Sequence, residues 1–274
     1  MSRKLLVVNA DDFGFTPDVN SGIVEAHREG ILTATTLMAN GSAFEDAIRL
    51  ARETPSLDIG CHLALIGGHS LVTGEPFPSS PARLAAKLAL GRIRVYDELA
   101  AQIRKIVAAG IRPTHIDTHK HTHLAPSVLD AVARLAEEFD IPWVRCPFDL
   151  PLQTLRAAIP PGKQLTSGAI ALMRGRFARV LATHGLRATD HFAGFQITGR
   201  LDAARLAELL AHLPEGSTEL MVHPGHHGPA LGAAPTRLKQ SRQDELAALC
   251  APVVRAALQR HGIELVNYRL IDAA

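Results

Sequence analysis

The chain is short of cysteine, of net charge and of long apolar runs, and each shortage removes a class of protein. Three cysteines, Cys61, Cys146 and Cys250, are odd in number and scattered without CxxC spacing, so neither a disulfide framework nor a cysteine-built zinc site is expected. A reducing cytoplasm suits that pattern. Lys and Arg number 29 against 27 Asp and Glu, a formal charge of +2, which supplies no field for nucleic acid or an anionic membrane surface. No window approaches the roughly 18 apolar residues of a membrane span. The apolar stretch after Met1-Ser2-Arg3-Lys4, Leu5 to Val8, is too brief for a signal-peptide core. Internal repeats, low-complexity tracts, linker-like charge runs and a Gly-rich phosphate loop are missing as well. The 274 residues, 47% hydrophobic and 20% charged, are therefore read as one cytoplasmic domain spanning 1–274, with ample apolar material for one large core.

What the chain has in abundance is histidine. Of its 14, four lie between 115 and 123 and three between 223 and 227. Clustered imidazoles repel one another when protonated, so their gathering points to a metal, a proton-transfer task or a polar pocket.

The order of elements supplies the frame. Residues 4 to 9 form a short apolar run suited to a strand buried on both faces, followed by an Asp11-Asp12-Phe13-Gly14 turn. Thr16-Pro17 then opens a helix that Gly30 closes. The same rhythm recurs with strands predicted at 31–38, 57–65, 114–118, 142–146, 191–195, 219–223 and 263–270. Helices alternate with them, among them 127–138, 168–184 and one long helix over 241–260. Seven or eight parallel strands alternating with helices favour an α/β single-domain distorted (β/α) TIM-like barrel over a doubly wound open sheet. The Gly-, Pro- and Ser-rich stretch 67–80 reads as a loop over the functional face.

The polar residues at strand ends carry the chemistry. Asp11 and Asp12 follow the first strand, on the side where such folds place ligands. Adjacent carboxylates on an extended backbone point to opposite sides, so one can hold a cation while the other faces substrate; a helix-capping or turn role is the structural alternative. His62 interrupts the apolar strand Gly60 to Leu65. The segment His115 to His123 alternates at period two, and a continuing strand would put His115, Asp117, His119, His121 and His123 on one face. Such a ladder cannot be ordinary core, because unpaired buried imidazoles and carboxylates cost several kcal/mol each, about 2–7 on the usual scales. Some of the five must be ligands and others must orient them. His223 ends a further apolar strand, whereas His226 and His227, in a Gly-flanked loop, are read as solvated. Arg145 occupies the same rim, free to bind an anion or hydroxyls or to pair with Asp117 or Asp149. Asp with two or more His is a mixed oxygen and nitrogen set suited to Zn²⁺, Co²⁺, Mn²⁺ or Fe²⁺ and somewhat soft for Mg²⁺. An open divalent site of this kind is the machinery of metal-assisted hydrolysis.

Taken together, these motifs resemble the YdjC-like carbohydrate deacetylase family, which includes diacetylchitooligosaccharide deacetylases and a hopanoid-biosynthesis-associated branch. The segments that carry the resemblance are Val8 to Gly14, Gly60 to Leu63, Pro113 to His123, Asp190 to Phe195 and His223-Pro224-Gly225. The resemblance implies hydrolysis of the N-acetyl group of an acetylated amino sugar with one divalent ion, Mg²⁺ or Zn²⁺ with Co²⁺ or Mn²⁺ as alternatives. It also implies Asp12, His62 and His119 as metal ligands, Asp11 as general base on the attacking water, His223 as general acid and a homodimer. The logic is similar to that of polysaccharide deacetylases, which use a paired Asp and two His on a related barrel. Arg145, Asp117 and Phe195 are taken as substrate-binding residues, and the 66–80 and 147–167 loops as the seat of specificity. The competing readings are a metal-dependent hydrolase of another bond, such as a phosphoester, and a metal-binding protein without catalysis.

Overall fold

The computed structural model describes residues 3–151, 155 and 159–271; within the expected specificity loop 147–167, residues 152–154 and 156–158 lie outside that range. Among the described residues eight strands form one sheet, all pairs parallel. They are β1 (Lys4–Phe13), β2 (Ala34–Leu37), β3 (Asp58–Leu63), β4 (His115–Thr118), β5 (Trp143–Val144), β6 (His191–Ala193), β7 (Gly216–Val222) and β8 (Ile263–Leu265). The order is β5-β4-β3-β2-β1-β7-β6, with β8 against the first residues of β1. The sheet curls until its edges meet, where isolated bridges between Trp143 and Arg187 and between Asp149 and Phe192 stand in for a regular ladder. This is the distorted (β/α) barrel that the alternation predicts. No helix among the described residues is long and apolar enough to cross a membrane.

The period of two in each strand separates two environments. On β1, Leu6, Val8 and Ala10 join the large core beneath the outer helices, whereas Val7 belongs to a small inner cluster with Ala34, Trp143, Val266, Tyr268 and Ile271. That cluster plugs the amino ends of the strands. Further along β1, Asn9 and Asp11 continue the inward-facing row and meet polar partners: the Asn9 Oδ1 lies 2.9 Å from His115 Nε2. The interior is thus apolar at one end and charged at the other. Gly60 fits this layering, because a Cβ there would lie 2.7 Å from the His115 ring on the neighbouring strand.

Five predicted boundaries shift, three of them for identifiable reasons. β1 runs on through Asp11 and Asp12 to Phe13. Between Ala10 and Phe13 it advances three residues while β2 advances two, from Thr35 to Leu37, so β1 carries a bulge. The bulged residue is Asp12, at φ 71°. The 115–123 ladder is not one strand: β4 stops at Thr118, and His119–Leu124 form a 3₁₀ turn with Lys120 and His121 in the left-handed region. The Thr118 hydroxyl accepts from the His123 backbone N–H at 3.0 Å and meets the His123 Nδ1 at 2.6 Å, which draws the chain round. The helix predicted over 241–260 is two, Gln240–Cys250 and Pro252–Arg260, broken at Pro252. The helix predicted over 168–184 is likewise two, Pro161–Ala171 and Arg174–Thr183, and β8 ends at Leu265 rather than Leu270.

Candidate active site

The polar side chains gather at the carboxyl ends of β1, β3, β4 and β7. The bulge decides how the two adjacent aspartates stand. An unbroken strand would send one outward, but the left-handed turn at Asp12 brings both carboxylates to the barrel interior, correcting the opposite-sides expectation. Asp12 Oδ1, His62 Nε2 and His119 Nδ1 converge, with separations of 3.1, 3.2 and 3.3 Å. Donor atoms sharing one ion at the usual 2.0–2.1 Å lie roughly 2.9–3.4 Å apart, depending on geometry. These three residues therefore fit a divalent metal.

A layer of charge surrounds the cluster. The Asp117 Oδ1 lies 2.6 Å from His62 Nδ1 and its Oδ2 accepts from the Thr36 hydroxyl at 3.0 Å. This carboxylate on the far nitrogen fixes the imidazole with Nε2 toward the cluster, as metal-ligating histidines require. Burial works against charge on His62, yet Asp117, with help from Asp12 and Asp11, holds its pKa up at about 10. A field that retains a proton so firmly also favours a metal cation in its place. The buried carboxyl groups of Asp11, Asp12, Asp117 and Glu219 are met, among the described residues, by the buried guanidinium groups of Arg145 and Arg242, so carboxyl groups outnumber guanidinium groups around the cluster.

Arg145 organises this layer. Its Nη1 and Nη2 donate to the two Asp11 oxygens at 2.9 and 2.6 Å, Nη2 also lies 2.7 Å from Asp117 Oδ2, and Nε donates to Glu219 Oε1 at 2.7 Å. Burial alone would raise the Asp11 carboxyl, but this fork holds it well below the usual carboxylate range. The structure places Arg145 and Asp117, read as substrate contacts, behind the carboxylates, at 2% and 1% exposure. Arg145 pairs with Asp117 and not with Asp149, which instead accepts from the backbone N–H groups of Gly194, Phe195 and Gln196. Phe195 is half-buried and packs against His121, ring centroids 5.7 Å apart.

His223 lies just past β7, with Nε2 3.9 Å from Asp11 Oδ2 and Nδ1 3.9 Å from Glu245 Oε2. Burial pushes it down to about 4, so it is neutral near pH 7. The other sequence candidates divide cleanly. His115 and His123 are structural: the first joins Asn9 and Thr114, the second the Thr118 hydroxyl and the Arg145 carbonyl. His226 pairs with Glu25 at the surface and His227 meets Gln240.

Two residues that sequence reasoning passed over back the site from the helix Gln240–Cys250. Arg242, 1% exposed, donates through Nη2 to Asp12 Oδ2 and leaves Oδ1 for the cluster. Glu245, one turn on, accepts from the backbone N–H groups of His223 and Gly199 at 2.6 and 3.1 Å. Burial pushes its carboxyl up to about 7. Their only sequence signal is a pair of charges at i, i+3 on the helix face that also carries Leu246 and Leu249.

Fold and site together define a parallel α/β barrel with an Asp-His-His cluster and a second, charge-locked carboxylate at the ends of its strands. The chain belongs to the YdjC-like protein family, whose profile matches residues 5–260. It is 36% identical to a carbohydrate deacetylase of Brevibacillus brevis, over 96% of this chain and 98% of that one. It is 32% identical to a carbohydrate deacetylase of Geobacillus stearothermophilus, over 97% of each. A crystal structure from Enterococcus faecalis V583, provisionally named a cellobiose-phosphate cleavage protein, superposes with a TM-score of 0.76 at 26% identity, covering 98% of both chains.

Proposed function

We propose that the chain is a hydrolase that removes the N-acetyl group from an acetylated amino sugar, with one divalent ion held by Asp12, His62 and His119. The observation that carries this reading is the convergence of those three donor atoms beside a carboxylate, Asp11, that Arg145 keeps charged. Relatives named as carbohydrate deacetylases over nearly the whole chain support the substrate class. The ion would polarise the acetamide carbonyl and acidify the attacking water, which lets a carboxylate as weakly basic as Asp11 take its proton. Arg145 aims that carboxylate with a two-pronged hold and stabilises it again once the proton has left. His223 enters neutral, and its Nε2, 3.9 Å from Asp11 Oδ2, would receive the proton through one water and pass it to the departing amine. Water thus supplies the hydroxyl of acetate and the proton of the amine. Arg145 is engaged by three carboxylates and offers nothing to a phosphoester, which favours the amide over that alternative.

The test is acetate release from N,N′-diacetylchitobiose and other N-acetylated sugars by metal-free protein before and after addition of Zn²⁺, Co²⁺, Mn²⁺ or Mg²⁺. Metal-dependent release is the expected result. Stoichiometric metal binding with no release from any acetylated sugar would overturn the reaction while leaving the metal cluster standing.

A further inference from the structure

One imidazole of the 115–123 segment has no task in the fold or in the metal cluster. His115 and His123 are hydrogen-bonded at both ring nitrogens, and His119 faces Asp12 and His62. His121, among the described residues, has no hydrogen-bond partner at either nitrogen, although it is only 9% exposed and its Nδ1 is wholly buried. An unpartnered buried polar group is costly, because it has given up water and gained no partner. A second cost accompanies it, since His121 and Lys120 are consecutive non-glycine residues at φ 51° and 55°. The buried Nδ1 is closed to any ligand, so Nε2 is the edge left for a partner from outside the chain.

Its surroundings indicate what that is. The ring meets Phe192 edge-on at a centroid distance of 6.0 Å and Phe195 at 5.7 Å. The other side of the site meets the same Phe192 ring, since the Arg145 guanidinium lies 5.7 Å from its centroid, so His121 and the Arg145–Asp11 pair share that aromatic neighbour. Phe195 is held rigidly, because three successive N–H groups from Gly194 to Gln196 donate to the Asp149 carboxylate. A hydrogen-bonding edge next to a fixed aromatic face complements a pyranose, which presents hydroxyls at its rim and C–H groups on its face.

We propose that His121 and Phe195 recognise the sugar ring that bears the acetamide, with the imidazole hydrogen-bonding one of its hydroxyls and Phe192 backing the imidazole. The proposal rests on the deacetylase reading above and names the residue that selects the sugar. His121→Phe keeps the ring and removes both nitrogens, and His121→Gln returns a polar group near the Nε2 position. His121→Asn, which accommodates the left-handed backbone, withdraws the polar atoms from the opening and replaces the phenylalanine variant if that one does not fold.

The experiment measures KM and kcat for acetate release from N,N′-diacetylchitobiose, and calorimetric binding of the same sugar in an Asp11→Asn background. Metal content and a hydroxyl-free probe, N-cyclohexylacetamide, are measured alongside. His121→Phe is expected to raise KM and weaken binding roughly tenfold, the loss of one neutral hydrogen bond. Metal content should stay stoichiometric, kcat should stay within about twofold, N-cyclohexylacetamide should bind unchanged, and His121→Gln should recover part of the loss. Unchanged KM, a fall in kcat alone, or loss of metal would each overturn the proposal. If the native enzyme neither binds nor deacetylates the sugar, the deacetylase reading fails and this one with it; turnover by the native enzyme with undiminished binding in His121→Phe removes this one alone.

Discussion

Residues 115–123 and 223–227 hold half of the histidines between them and treat imidazole in opposite ways. In the first segment His115, His121 and His123 are buried and His119 points into the cluster. In the second only His223 is drawn inside, while His226 is 37% exposed at its side chain and His227 lies at the surface. The difference is one of backbone. β4 hands its chain to a tight 3₁₀ turn that Thr118 and His123 lock, whereas β7 releases its chain at His223-Pro224-Gly225 into a loop whose N–H groups turn to the Arg242 and Asp18 carbonyls of the outer helices. A count of histidines is therefore a poor guide to a site, and position relative to the last ladder hydrogen bond is a good one.

The strongest way to sharpen that comparison is His119→Ala, which should lose both bound metal, by elemental analysis, and roughly a thousandfold or more in acetate release. Retention of both would place the ligands elsewhere. Asp11→Asn should keep the metal and lower kcat by roughly 10²–10⁴-fold, since it removes the base and leaves the cluster. Arg145→Met leaves Asp11, Asp117 and Glu219 buried without their counter-charge, so a stability loss of about 3–5 kcal/mol in denaturant titration is expected. Glu245 offers a pH test. Its folded pKa, about 7, stands above its ordinary value of 4.5, so its contribution is complete below pH 4.5 and is lost as pH rises through 7. Buried neutral histidines such as His223 add stability as pH rises towards 6.5, so the Glu245 contribution is read as a difference: over that window the native protein should lose, relative to Glu245→Gln, the equivalent of at most about 2–3 kcal/mol in denaturant titration. At the other extreme, His226→Ala and His227→Ala should leave metal content and turnover unchanged and stability within about 0.5 kcal/mol; a loss of activity in either would break the contrast between the segments.

What could be read in the sequence were the places where an apolar strand meets a polar residue. His62, Asp117 and His223 each end such a run, and short buried strands leave little freedom in where such a residue points. The barrel followed from the same alternation. The aspartate bulge was hidden, because aspartate is ordinary in strand ends and turns alike and only the pairing of β1 with β2 reveals the extra residue. Period two over 115–123 misled because the Thr118 side chain competes with the ladder for the backbone, a contest that periodicity does not register. Arg242 and Glu245 were hidden for another reason: they arrive from a helix more than 220 residues away along the chain from Asp12, and nothing local distinguishes them from a solvated pair.

The single left-handed residue at Asp12 also has a meaning for transplantation. Copying Asp-Asp together with the two histidines onto a regular barrel strand would deliver one carboxylate to the lumen and drive its neighbour into the apolar layer under the helices, where it would destabilise the host and hold nothing. The transferable unit is the kinked strand with its two-residues-against-one pairing to β2. A graft that omits the kink would carry all the letters of the motif and none of its geometry.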